Sequence, residues 1–124
     1  MQIFKTKWFH RWAAKEMLSK EALLLAVEEI LNGLIDADLG GFVIKKRVAV
    51  SGRGKRSGLR TLVAFNFSDK LFFVYGFAKN ERADITLKEL KALKKLAMDL
   101  LAYRPVALEK AIEAGELIEA CNDG

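Results

Sequence analysis

The sequence predicts an α+β domain: an N-terminal strand and helical hairpin packed on a twisted antiparallel sheet, followed by C-terminal helices. Two patterns and their order carry this expectation. Apolar residues recur at helical spacing near the start and again after Asp84, whereas the middle of the chain is rich in Val, Phe and Tyr with turn residues between the runs. The resulting order, β-α-α-β-β-β-α, places the helices on one face of the sheet.

Residues 3–6 suit a short edge strand, and Trp8, Phe9, Trp12 and Ala13 then repeat at helical spacing. A tryptophan pair at i and i+4 could stack on bases, but beside an apolar stripe it reads first as core. Ser19 is an N-cap for a helix over 20–34, with Leu23, Leu24, Val27, Ile30, Leu31 and Leu34 as its stripe and Gly33 weakening its end. Strands follow over Val43–Val50, 59–67 and Lys70–Ala78. Ser68-Asp69 gives a tight turn between the last two, while 51–58 reads as a mobile cationic loop containing Arg53, Lys55 and Arg56. Thr86, with Glu89 three residues on, starts an amphipathic helix whose outer face carries Lys88, Lys91, Lys94 and Lys95. Pro105 opens a final acidic helix over 106–120, so residues 1–104 form the main unit and 105–124 a helical extension of the same domain.

A chain of 124 residues, 52% hydrophobic and 30% charged, forms one folded domain rather than a disordered polymer. The longest apolar stretch, 71–78, is too short to span a bilayer, and residues 1–12 lead into no signal-peptide core. The lone Cys121 can form no internal disulfide. A cytoplasmic protein with no membrane partner is expected. The formal charge is +5, and it is concentrated: between Leu39 and Ser68 there are seven basic residues and no acid, leaving 21 − 7 = 14 basic against 16 acidic groups elsewhere. That distribution points to an anionic partner met by one segment.

Strand alternation puts Lys45 and Arg47 on one face and Lys46 on the other, and Arg60, on the partner strand, can join the first two. Guanidinium forks and ammonium charges on one concave face suit a phosphodiester chain. The alternative is a solvated edge whose charges merely blunt strand pairing. His10 invites a conventional ribonuclease reading but has no second histidine to act as acid, since it is the only one in the chain. Gly52-Arg53-Gly54 leads into a strand, which excludes a nucleotide-binding glycine turn, and no metal-ligand spacing is present. No cofactor is expected.

Three blocks occur in order: Lys45-Lys46-Arg47-Val48-Ala49, Gly52-Arg53-Gly54-Lys55-Arg56-Ser57-Gly58-Leu59-Arg60, and Tyr75-Gly76-Phe77-Ala78-Lys79-Asn80-Glu81-Arg82. Together with the lysine-rich helix after them, they resemble the HigB branch of the RelE toxins over roughly 42–101. The resemblance implies a RelE-like, microbial-ribonuclease-type fold and a toxin that cuts messenger RNA in the ribosomal A site. The nucleophile would be the 2′-hydroxyl and the product a 2′,3′-cyclic phosphate. It implies catalytic roles for Lys45, Arg47, Arg60, Lys79 and Asn80, with Lys46, Arg53, Lys55, Arg56, Lys88, Lys91, Lys94 and Lys95 gripping RNA or ribosome. It also implies a cognate antitoxin, of helix-turn-helix type. The chain departs from the best-known RelE toxin, which has an arginine after the lysine matching Lys79 and a tyrosine near its end; here Asn80 and Thr86 stand there, so no acid or base is transferred. Two other readings remain open. A non-catalytic nucleic-acid-binding module would use the same cations, and a ParE-type gyrase poison would share the fold without needing the basic strand pair.

Overall fold

The computed structural model describes residues 1–50, 54–66 and 69–120, with the backbone alone for 54–57. The elements are β1 (Gln2–Thr6), α1 (Lys7–Lys15), α2 (Lys20–Leu31), β2 (Ala37–Asp38), β3 (Val43–Val50), β4 (Gly54–Phe65), β5 (Lys70–Ala78), α3 (Leu87–Leu101), α4 (Pro105–Glu113) and β6 (Leu117–Glu119). The strands make one six-stranded sheet in the order β2-β3-β4-β5-β1-β6. Four of its five pairings are antiparallel; β1 lies parallel to β5, Ile3 opposite Leu71. The expected edge strand is thus an interior one, and its sequence shows why. Ile3 and Phe4 point to opposite faces and both are buried, as a strand covered on each side requires.

Local signals set the helix starts. Thr6 Oγ1 accepts from Phe9 N at 3.1 Å and Ser19 Oγ from Ala22 N at 3.0 Å, each satisfying an amide that the first helical turn cannot. The α2 helix ends at Leu31, with Gly33 at φ +82° turning the chain away.

Two apolar layers sandwich the sheet. On one face Phe9 and Ala13 of α1 and Leu23, Val27 and Ile30 of α2 meet Ile44, Val48, Val63 and Phe73. On the other, Leu93, Ala97 and Leu100 of α3 and Leu108 and Ala111 of α4 meet Val43, Leu62, Phe72 and Phe77. The helices therefore cover both faces, not the single face expected, because β3 to β5 alternate apolar residues on each side. Full burial of a residue such as Phe72 or Phe73 contributes about 1.5–3 kcal/mol. Within the first layer α1 lies against β5 and α2 against β3. At Gly76, where a Cβ would overlap the Trp12 ring, the absence of a side chain lets α1 close onto the sheet.

Two expected elements differ. The loop over 51–58 gives way to strand from Gly54, which pairs with Val50 across a register shift that begins at Val48. The helix over 106–120 stops at Glu113; Gly115, at φ +77°, reverses the chain, and β6 joins β1 with Ala120 N donating to Ile3 O at 2.8 Å. The Ser68 turn position and Cys121 lie outside the described residues.

Candidate functional site

Register determines which side chains meet. On the face that α3 and α4 cover, Lys45, Leu62 and Tyr75 form one row across β3, β4 and β5, and Arg47, Arg60 and Phe77 form the next. Arg47 is partly exposed at this end of the sheet, whereas Arg60 and Phe77 are buried beside it. Lys45, Arg47 and Arg60 thus stand together on one face.

Arg47 and Arg60 are directly opposed, an arrangement that repels unless an anion intervenes. The intervening anion is Asp36, from the segment between α2 and β2. Its Oδ1 accepts from Arg47 N at 3.0 Å, and its Oδ2 lies 3.5 Å from Arg47 Nε and 3.7 Å from Arg60 Nε. Arg60 is only 8% exposed, and its Nη1 is buried without a hydrogen-bond partner among the described residues. A buried donor left unpaired is costly.

Lys45 Nζ is 3.2 Å from Asp84 Oδ2. Burial pushes the Asp84 carboxyl up, but the Ile85 amide and Lys45 outweigh it and hold the group below its ordinary range. Lys79 and Asn80 are exposed in the turn just after β5, where Lys79 N donates to Gly58 O at 2.7 Å and so fixes that turn to β4. Arg82 organises the rest of the segment. It forks onto Glu89, donates from Nε to Asp84 O at 3.0 Å, reaches Tyr75 Oη at 3.4 Å and stands 5.8 Å from the centre of the Phe77 ring. These contacts make Arg82 a structural tie between the turn after β5 and the start of α3.

The capping box expected from Thr86 and Glu89 is present in both directions. The Arg82 fork, then the Thr86 amide, hold the Glu89 carboxyl down to about 2. A depressed carboxylate stabilises the fold above its unfolded value near 4.5, and that contribution is lost as pH falls from there through about 2. We therefore expect the acid limb of a stability-versus-pH curve to flatten in Glu89→Gln between those values; an unchanged slope would mean that the pair contributes nothing.

Lys46 does not join its neighbours. It is 4% exposed on the opposite face, with Nζ 2.9 Å from Glu29 Oε1 and 2.7 Å from Leu34 O, and so it pins α2 to β3 rather than meeting RNA. Lys88, Lys91 and Lys95 are exposed on α3, whereas Lys94 lies half-buried along Gly40 and Gly41. The side chains of Arg53, Lys55 and Arg56 lie outside the described residues. His10 is on the α1–α2 side, beside a cavity of about 300 Å³ that Lys5 and Glu119 also line; burial, then Lys5, push its imidazole below its usual range. Trp8 is 45% exposed and stacks on Tyr75 at 4.4 Å between ring centres.

Among the described residues no group of His, Cys, Asp and Glu is placed to hold a metal ion, and no helix is long and apolar enough to cross a membrane. Two acids at the site, Asp36 and Asp84, were invisible to sequence reasoning. They sit in irregular segments outside the basic run, where no periodicity forecasts their direction. No curated protein matches the chain significantly. The family model described as RelE toxin of the RelE/RelB toxin–antitoxin system matches residues 1–120, nearly the whole chain, and this protein therefore belongs to the RelE toxin family.

Proposed function

We propose that this toxin is an mRNA endonuclease of the HigB-like branch, acting in the cytoplasm on ribosome-bound transcripts and restrained by a helix-turn-helix antitoxin. The observation that carries the reading is the opposed Arg47–Arg60 pair, with one buried guanidinium nitrogen lacking an acceptor among the described residues. A phosphate between them would receive forked, charge-assisted hydrogen bonds. In the reaction the 2′-hydroxyl attacks the adjacent phosphorus, loses its proton, and displaces the 5′-oxygen, which takes up a proton; the products are a 2′,3′-cyclic phosphate and a 5′-hydroxyl. Negative charge grows on the non-bridging oxygens, where Arg47 and Arg60 would stabilise it, with Lys45 and Lys79 adding positive charge and Asn80 a neutral donor. The exposed lysines of α3 would hold ribosomal or messenger phosphates.

The chain's one histidine faces away from this group, which supports reliance on substrate geometry more than on an acid–base pair. Alignment for in-line attack can supply about 7–11 kcal/mol in favourable cases, and the ribosome is the body able to impose it. The test is a defined transcript incubated with the toxin, with and without translating ribosomes, with the ends of the fragments analysed. Cleavage confined to the ribosomal reaction and ending in cyclic phosphate is expected. Equal cleavage in both would make the protein a free ribonuclease, and none in either would favour a binding module.

A further inference from the structure

Asp36 is an acid at the centre of a group of cations, in a segment that the family's catalytic reading does not use. Its carboxylate touches both arginines and is fastened to the backbone of one of them. We propose that Asp36 is a positioning residue that occupies the phosphate's place between Arg47 and Arg60 and gives way to RNA. This inference rests on the RNA-binding reading above and adds to it a competitor built into the chain.

The two guanidiniums, directly opposed on neighbouring strands, repel each other, and Asp36 is the anion that stands between them where a phosphate would stand. Its contacts to both Nε atoms, at 3.5 and 3.7 Å, are long for charge-assisted hydrogen bonds, and a phosphate with more oxygens can better them. Finally, Arg60 Nη1 has no partner among the described residues while Asp36 holds the pair, so Asp36 fills this anion site only in part. RNA would gain both guanidinium forks while the carboxylate swings toward solvent, to which it is already one-fifth exposed.

The experiment measures the affinity of a short, uncleavable 2′-O-methyl RNA over a salt series for the wild type and three variants. Asp36→Asn keeps an acceptor for Arg47 N but removes the competing charge. It should bind about fivefold tighter at low salt, with a slope against log salt steeper by about 0.7. Asp38→Asn removes the same charge two residues away, where Oδ1 accepts from Gly40 N, and should change little. An Asp36→Asn affinity equal to the wild type's, or a gain matched by Asp38→Asn, overturns the proposal while leaving the RNA reading intact. If the Arg47→Ala/Arg60→Ala variant binds as the wild type does, the RNA reading of this face fails, and the proposal with it. A second readout uses the wild type alone: on RNA binding the Arg47 amide should lose its protection from hydrogen exchange as its acceptor departs, and unchanged protection would count against displacement.

Discussion

Replacing Arg60 by alanine is expected to slow ribosome-dependent transcript cleavage by about a hundred- to a thousandfold, the usual cost of removing one preorganised donor from a developing oxyanion. The side chain is one-tenth exposed and its strand neighbours fix it in place, so little reorganisation is needed when charge appears on the phosphate. For the same reason the change will disturb the fold more than loss of a surface charge would, because it empties a buried volume and releases Asp36 from one partner. Arg60→Lys separates the two effects. It keeps the charge and most of the volume but loses the planar fork, and should still fall well below wild type in cleavage while melting close to it. Wild-type cleavage by folded Arg60→Lys and Arg60→Ala proteins would remove Arg60 from the chemistry.

The largest stability effect is expected on the other face. Glu29→Ala strands the buried ammonium of Lys46, leaving Leu34 O as its remaining described contact, and should cost about 3–5 kcal/mol in urea or thermal unfolding. The paired replacement Glu29→Leu/Lys46→Met removes both charges and should recover most of that loss, because two apolar groups of similar volume need no solvation. A single variant as stable as the wild type would show that water reaches Lys46. Neither variant should alter the proposed RNA-binding face, since Lys46 points away from Arg47 and Arg60.

What the sequence made legible follows the range of the interactions. Helix starts at Ser19 and Thr86 were readable because a cap and the amide it serves are three residues apart. The shared face of Lys45, Arg47 and Arg60 was readable because alternation is fixed by the pleat. The burial of Arg60 was not readable, since it depends on an acid from the segment before β2. Nor was the division of helices between two faces, because an apolar stripe does not say which layer it will join. The strand β6 was lost inside an apparent helix: Leu117 and Ile118 fit either period, and only the partner edge of β1 decides between them.

That partner edge sets a timetable for synthesis. The β3-β4-β5 meander is made of neighbouring segments and can pair as it is made, but β1, built first, has no seat until β5 exists, because Ile3 pairs with Leu71. Its other side then stays bare until Leu117–Glu119 arrives to pair with it. Closing loops of that length is entropically slow. A growing chain therefore carries the arginine strands well before its sheet is complete.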